Sequence, residues 1–291
     1  MNFSEKLRTL RKNFKLSQEQ LAEKIGVSRQ AITKWETEGG LPDIENMMAI
    51  ASLFSVSIDE LLSGEKLTYA EAKLAYESVT EYDISRPCHF DIHAPGALEI
   101  NIKAAADEKL RICLSSNILQ TIAKDYKVQI DEHRDRIDVD IRRQEQANDL
   151  AGKEALYISI CLPAALCHKV ELTAITQALR LIGTEFPFEL DGKSARVILE
   201  GAKDHITLNC NIDMDIKALQ LPEVIELNQI NASSALHIPK NASYYTKIKG
   251  KSNRIIFAKD GKPFEYQGDP DASNRIELAG MNAELLIEHD I

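Results

Sequence analysis

Residues 28–36 place Ser28, Arg29, Gln30, Thr33 and Lys34 on one face of a helix, with Ala31, Ile32 and Trp35 on the other. Side chains of this kind suit the edges of nucleic-acid bases. The Arg29 guanidinium can donate two hydrogen bonds to guanine O6 and N7, and the Gln30 carboxamide can make the same two-point match to adenine N6 and N7. Each such pair contributes about 1–3 kcal/mol of discrimination against the wrong base. Thr33 and Lys34, one turn on, can reach a base edge or a phosphate. A polar face of this length is common on exposed helices, so the reading rests on the elements that position it.

Those elements are regular. Residues 4–14 carry Leu7, Leu10 and Phe14 as an apolar stripe with Ser4 placed to cap it, which predicts a first helix. Ser17 and Gln20 form a Ser-x-x-Gln capping box, so a second helix starts there and buries Leu21, Ala22 and Ile25. Gly26 is a natural terminator because it takes a left-handed conformation without penalty. Ser28 then caps the third helix, Gly39 and Gly40 end it, and Pro42 marks a new start. Residues 43–54 predict a fourth helix with Ile44, Met47, Met48, Ile50, Ala51 and Phe54 apolar. Ser57 and Glu60 make another capping box for a fifth, short helix through Leu61 and Leu62.

The stretch 16–36, LSQEQLAEKIGVSRQAITKWE, followed by 41–62, LPDIENMMAIASLFSVSIDELL, resembles the lambda-repressor/Cro/Xre helix-turn-helix family. The resemblance covers roughly residues 3–64 without a gap and joins spacing, core pattern and caps. It implies an all-α, five-helix DNA-binding domain whose second motif helix enters the major groove of double-stranded DNA. It also implies that Gln18, in the first turn of helix two, holds a backbone phosphate with help from the helix N-terminus. Arg11 and Glu36 stand where family members pair two side chains to brace helix one against helix three, a structural role. The chain departs from the family at Thr37 and Glu38, where Gly or a basic residue is usual. Glu38 would repel phosphate.

At 291 residues the chain is long enough for two domains. A formal net charge of −10 excludes a protein coated in nucleic acid along its length. Yet residues 1–34 hold eight cations against three carboxylates, so a local basic face is expected within an acidic chain. The five cysteines, scattered and odd in number, suit a reducing compartment better than a disulfide framework. There is no apolar signal core and no run near the roughly 20 apolar residues of a membrane span. The expectation is a cytoplasmic protein with no membrane partner.

The pattern changes further along. Residues 69–79, YAEAKLAYESV, read as a helix within a helical connector spanning 65–84. From about residue 85 the apolar period falls to two, at 89–92, 98–102, 110–114, 128–130, 137–141 and 157–162. Short apolar strands then recur every 8–11 residues or so: 170–172, 179–182, 186–190, 197–199, 206–208, 214–216, 224–227, 235–238, 245–248 and 255–257. This predicts an all-β domain over 85–291, a β-solenoid or, alternatively, a β-sandwich. ALYISICLP and SSALHIPKNASYYTKIKGKSNRIIF, within 155–257, resemble the adhesin-like β-strand-repeat family of bacterial proteins, which implies stacked short strands and little about activity. Residues 276–278 and 283–287 are expected to close the array and protect its edge.

Within this domain His89, Asp91 and His93 share a strand face and are metal-ligand types, but no matching Cys/His pair follows, and a solvent-facing polar row accounts for them. Cys167 beside His168 has the composition of an activated thiol, with a strand-edge coincidence the simpler account. No phosphate loop, nucleophile elbow or paired-carboxylate signature is present. The sequence therefore predicts no enzyme, no cofactor and no metal. It predicts a sequence-specific DNA-binding transcriptional regulator acting as a homodimer. The β domain would sense a small molecule or bind a protein effector; the alternative is a DNA-binding scaffold whose β domain only oligomerises or holds a protein partner.

Overall fold

The caps and apolar spacings of the N-terminal stretch form four helices in the computed structural model, which describes residues 3–13, 16–37, 40–54, 74–144, 153, 155–266, 268–269 and 271–291. The chain divides into two units, Met1–Leu74 and Ala75–Ile291.

In the first unit α1 spans Phe3–Asn13, α2 Gln18–Ile25, α3 Arg29–Glu36 and α4 Ile44–Phe54. Phe3, Leu7, Leu10, Leu21, Ala22, Ile32, Trp35, Ile50, Ala51 and Phe54 make one buried cluster. The Ser17 hydroxyl accepts from Gln20 N–H at 3.1 Å and the Gln20 side chain accepts from Ser17 N–H at 2.8 Å, closing the capping box reciprocally. Gly26 ends α2 at φ 73°, where a Cβ would be strained. The Ser28 hydroxyl accepts from Ala31 N–H at 3.2 Å and so starts α3. Asp43 does the same for α4, accepting from Asn46 N–H at 2.9 Å. The start of α1 corrects the sequence reading. Burying Phe3 draws the helix back by one residue, so Ser4 lies inside it, buried, and is not its cap. Phe14, Glu38 and the fifth helix expected at 57–62 lie outside the described residues.

The second unit begins with β1 (Tyr76–Asp83), β2 (Cys88–His93), β3 (Ala97–Ala105) and β4 (Lys109–Ser116). After a short helix α5 (Ile122–Asp125) come β5 (Tyr126–Glu132), β6 (Arg136–Arg143) and β7 (Tyr157–Pro163). Two long strands follow, β8 (Cys167–Ile182) and β9 (Phe188–Glu200), and then β10 (His205–Asn209), β11 (Asp215–Ala218), β12 (Val224–Ile230) and β13 (Ser233–Ile238). The chain finishes with β14 (Tyr245–Ile248), β15 (Arg254–Lys259), β16 (Lys262–Pro263), β17 (Arg275–Met281) and β18 (Glu284–His289).

Pairing is mostly parallel, which decides for a solenoid over a sandwich. The first sheet runs β5–β6–β2–β8–β9–β10–β12–β17–β14. The second runs β1–β4–β7–β3–β8–β9–β11–β13–β18–β15–β16. Each rung of the stack gives one segment to each sheet, and successive rungs are 18 residues apart from Val170 to Phe188 to Ile206. Inward rows are apolar and in register: Phe90, Val170, Phe188, Ile206, Ile225 and Ile276 form one buried row of the core.

β8 and β9 each pass through both sheets, so the separate strands expected at 170–172 and 179–182, and at 186–190 and 197–199, are halves of bent strands. At the bend Gly192 (φ 153°) lies so close to Ala174 that a Cβ there would sit 1.9 Å from the Ala174 carbonyl oxygen. Beside the bend Thr176 donates to Ala178 O at 2.9 Å and Ser194 to Arg196 O at 2.7 Å, the same contact on two successive rungs.

Two further expectations are corrected. The helix read over 69–79 does not hold where the chain is described: Tyr76–Asp83 is a strand paired antiparallel along all of β4, and residues 69–73 lie outside the described residues. Its side chains alternate between half-buried and exposed, a period of two that nonlocal pairing exploits. Nor do the last strands close the array. β17 and β18 lie between the β12/β13 rung and the β14/β15 rung, so β14 and β15, the latter edged by the two-residue β16, make the terminal rung.

On the outer face of the first sheet a row of carboxylates runs through Asp138, Asp91, Glu171, Glu189, Glu226 and Glu277, broken by Thr207. Neighbouring cations answer it. Arg136 reaches Asp91 at 3.1 Å and contacts Asp138, while Lys169 bridges Glu171 at 2.5 Å and Glu189 at 2.7 Å.

Candidate nucleic-acid interface

α3 is presented by α2 through the tight turn at Gly26, with Ile32 and Trp35 buried beneath it. Its opposite face is exposed: Ser28, Arg29, Gln30, Thr33 and Lys34 all point to solvent, the Arg29 side chain at 64%. Among the described residues the Arg29 side chain has one weak ion pair, with Glu19 at 3.9 Å, itself exposed and unable to hold it in place. Ser28 caps α3 and Thr33 hydrogen-bonds Gln18, which leaves Arg29, Gln30 and Lys34 as the side chains of this face most open to an external ligand.

Glu36 anchors this face from below. Its carboxylate accepts from Arg11 Nε at 2.5 Å, Arg11 Nη2 at 2.9 Å and Gln18 Nε2 at 2.8 Å. Arg11 also donates through Nη1 to Leu16 O at 2.9 Å, tying the end of α1 to the start of α2. Burial alone would raise the Glu36 pKa. Hydrogen bonds from Arg11 and Gln18, with the charges of Arg11 and Arg8, outweigh it and hold the carboxyl below its ordinary range. Arg11 is shifted upward in turn, chiefly by its hydrogen bond to Glu36.

The structure thus brings Arg11, Gln18, Thr33 and Glu36 into one network and leaves Ser28, Arg29, Gln30 and Lys34 on its outer side. The sequence reading missed how Gln18 is held. Its Oε1 accepts from the Thr33 hydroxyl at 3.2 Å while its Nε2 donates to Glu36, so the carboxamide is oriented before any ligand arrives. A carboxamide nitrogen carries two N–H donors, which leaves one for an outside acceptor. No local spacing signals this, because the partners lie 15 and 18 residues away. Lys6, counted in the basic excess of residues 1–34, is fully buried and adds no charge to the exposed face.

The second unit's candidates are placed differently. His89, Asp91 and His93 face outward from β2, with His89 3.4 Å from Glu171 and His93 3.6 Å from Asp91, while Cys88, Phe90 and Ile92 are buried in the core. They form part of the charged row. Cys167 is buried, and burial pushes its thiol pKa well up, the opposite of an activated thiolate; His168 points to solvent. Burial also raises Cys88 and Cys210, each to about 11.

A helix-turn-helix family model, HTH_3, matches residues 7–61. The HTH-type transcriptional activator BcrR of Enterococcus faecalis is 55% identical over 74 residues, which is 25% of this chain and 36% of that protein. The uncharacterized HTH-type transcriptional regulator YqaE of Bacillus subtilis is 40% identical over 74 residues, 24% of this chain and 64% of its own length. Repressor protein C2 of Salmonella phage P22 is 35% identical over 74 residues, 25% and 33% respectively. The chain thus spans less than two thirds of each of these relatives. A solved structure from Clostridium sporogenes, assigned as a cell adhesion protein, covers 73% of this chain and 98% of its own at 11% identity and a TM-score of 0.34. Among the described residues no helix is long and apolar enough to cross a membrane. Residues 7–61 are a helix-turn-helix domain of the Xre/lambda-repressor type, carried in one chain with a large all-β unit.

Proposed function

We propose that the chain is a sequence-specific DNA-binding transcriptional regulator of the cytoplasm, with α3 as the reading element. The observation that carries this is the exposed Arg29–Gln30–Thr33–Lys34 face, lying opposite buried Ile32 and Trp35 and braced by the Arg11–Glu36–Gln18 network. Arg29 and Gln30 read base edges, Ser28, Thr33 and Lys34 reach a base edge or a phosphate, and Gln18 uses its remaining N–H on the backbone. Similarity over this unit to proteins named as a transcriptional activator and a repressor supports the reading. The chain acts as a homodimer on a two-fold site with half-sites one helical turn, about 34–36 Å, apart. The β-solenoid senses a small molecule or binds a protein partner and adjusts operator affinity.

Selection of bound sequences from a random DNA pool tests the reading. The wild-type chain should recover a two-fold site, and the Arg29→Ala/Gln30→Ala double variant should bind weakly, salt-dependently and without preference. A double variant that still selects the wild-type site would sink the assigned readout. For the solenoid, a metabolite that raises its melting temperature yet leaves operator affinity unchanged would count against regulation.

A further inference from the structure

Residues 240–262 hold seven of the chain's 35 Lys and Arg residues and one of its 45 Asp and Glu residues. This segment forms the β14/β15 rung, stacked on β17 and β18 at one end of the solenoid. The cations stand outward. The Lys247 and Lys249 side chains are 51% and 49% exposed and Arg254 is 72% exposed. Their carboxylate partners lie beneath them. Glu277, wholly buried, sits under Lys249, with Lys247 at 3.9 Å and Arg275 at 3.5 Å; one acid holds three cations in position. Lys251, Lys259 and Lys262 are exposed and, among the described residues, form no ion pair. Among the described residues β14 is paired on one side only, with β17, and runs along the same end.

We propose that this terminal rung is a second contact surface for the phosphate backbone of duplex DNA, a choice of polyanion that rests on the DNA-binding reading of α3. Charge complementarity argues for an external polyanion over another copy of the solenoid. The acidic row of the first sheet is already answered from within by Arg136 at Asp138 and Asp91 and by Lys169 at Glu171 and Glu189, so that stretch offers no vacant counter-surface. Duplex DNA carries a dense, sequence-independent line of charge. Exposed lysines that form no ion pair among the described residues gain most from it, because each phosphate contact releases a condensed counterion.

The test measures log Kd against log salt concentration for the full chain on duplex DNA. Lys251→Gln/Lys259→Gln/Lys262→Gln removes three cations that make no ion pair among the described residues, so the fold should be unaffected; a melting curve checks this. Loss of three contacts flattens the slope by about 2.7 and weakens binding on the order of 100-fold at 0.15 M salt. The control, Lys124→Gln/Lys127→Gln/Lys193→Gln, removes exposed lysines elsewhere on the solenoid and should keep the wild-type slope. A terminal-rung triple variant with the wild-type slope overturns the proposal, and so does an equal loss in the control. Loss of binding to phosphatidylglycerol vesicles with the DNA slope intact would also overturn it, assigning the rung to a membrane surface. The slopes are read on random-sequence duplex, so a chain that selects no operator refutes the α3 reading while the difference between the two triples still judges this one.

Discussion

Glu36→Ala removes the acceptor on which Arg11 and Gln18 converge, and its effect can be worked from the geometry. Three hydrogen bonds are lost, at 2.5, 2.9 and 2.8 Å. The guanidinium stays behind, 13% exposed, with Leu16 O at 2.9 Å as its remaining bond in that group. Stranding one partner of a buried ion pair costs about 3–5 kcal/mol, whereas replacing both by apolar side chains of similar volume is often neutral. With a urea m-value of about 1 kcal/mol/M for a unit this small, the midpoint should fall by several molar. Arg11→Met/Glu36→Leu should recover most of it. Trp35 is the chain's sole tryptophan and belongs to the helical core, so its fluorescence follows that unit, while the far-ultraviolet dichroism that persists past the Trp35 transition follows the strands. The Trp35 transition should shift and the β transition should not. An unmoved Trp35 midpoint in Glu36→Ala, or a double variant no more stable than the single, refutes the claim that this pair holds α1 against α3.

Acid should act on the same pair: the folded Glu36 pKa lies below its unfolded value, so its contribution is complete above about pH 4.3 and is lost as pH falls through the folded value. A Trp35-monitored acid titration reads this, and Glu36→Gln should flatten it. His289, buried and accepting from or donating to the Tyr244 hydroxyl at 2.8 Å, has its pKa lowered mainly by burial. Its contribution is complete above about pH 6.5 and falls below it, so amide protection factors in β14 and β15, taken relative to the intrinsic exchange rate at each pH, should fall more between about pH 8 and 5.5 than in the His289→Gln variant. Ser17→Ala should cost the helical unit about 1 kcal/mol by denaturant titration through loss of its cap. Gly192→Ala should destabilise the β unit by several kcal/mol because its Cβ meets the Ala174 carbonyl, whereas Gly201→Ala, at φ 74° with nothing nearer than 3.7 Å, should cost only about 1–2 kcal/mol in the same thermal melt.

What the sequence disclosed follows the range of each interaction. Ser17, Gln20, Gly26 and Ser28 act within one turn of themselves, and their caps were legible as spacings. Inward rows such as Phe90 and Ile92 were legible as alternation, since each strand buries its own face. The stack was less so. Whether Val170 and Leu179 belong to one strand depends on how the bend at Ala174 meets Gly192, a contact set by the neighbouring rung. Residues 76–79 read as helix because one turn of mixed apolar residues fits either period until β4 supplies a ladder. At the candidate interface the exposed α3 face was legible from helical spacing, but the orientation of Gln18 by Glu36 and Thr33 joins three separate turns and left no local trace.

The place of β17 and β18 beneath β14 and β15 bears on how the chain is made. In N-to-C synthesis residues 245–259 emerge before residues 275–289, the strands on which they stack. A nascent solenoid can therefore grow rung upon rung only as far as β12 and β13. The following strands must wait, and the last ones then enter as a wedge that is paired on both sides at once. Proteolytic loss of residues 275–291 would accordingly unseat two rungs, not one, and expose the β12 and β13 edges as ready templates for aggregation.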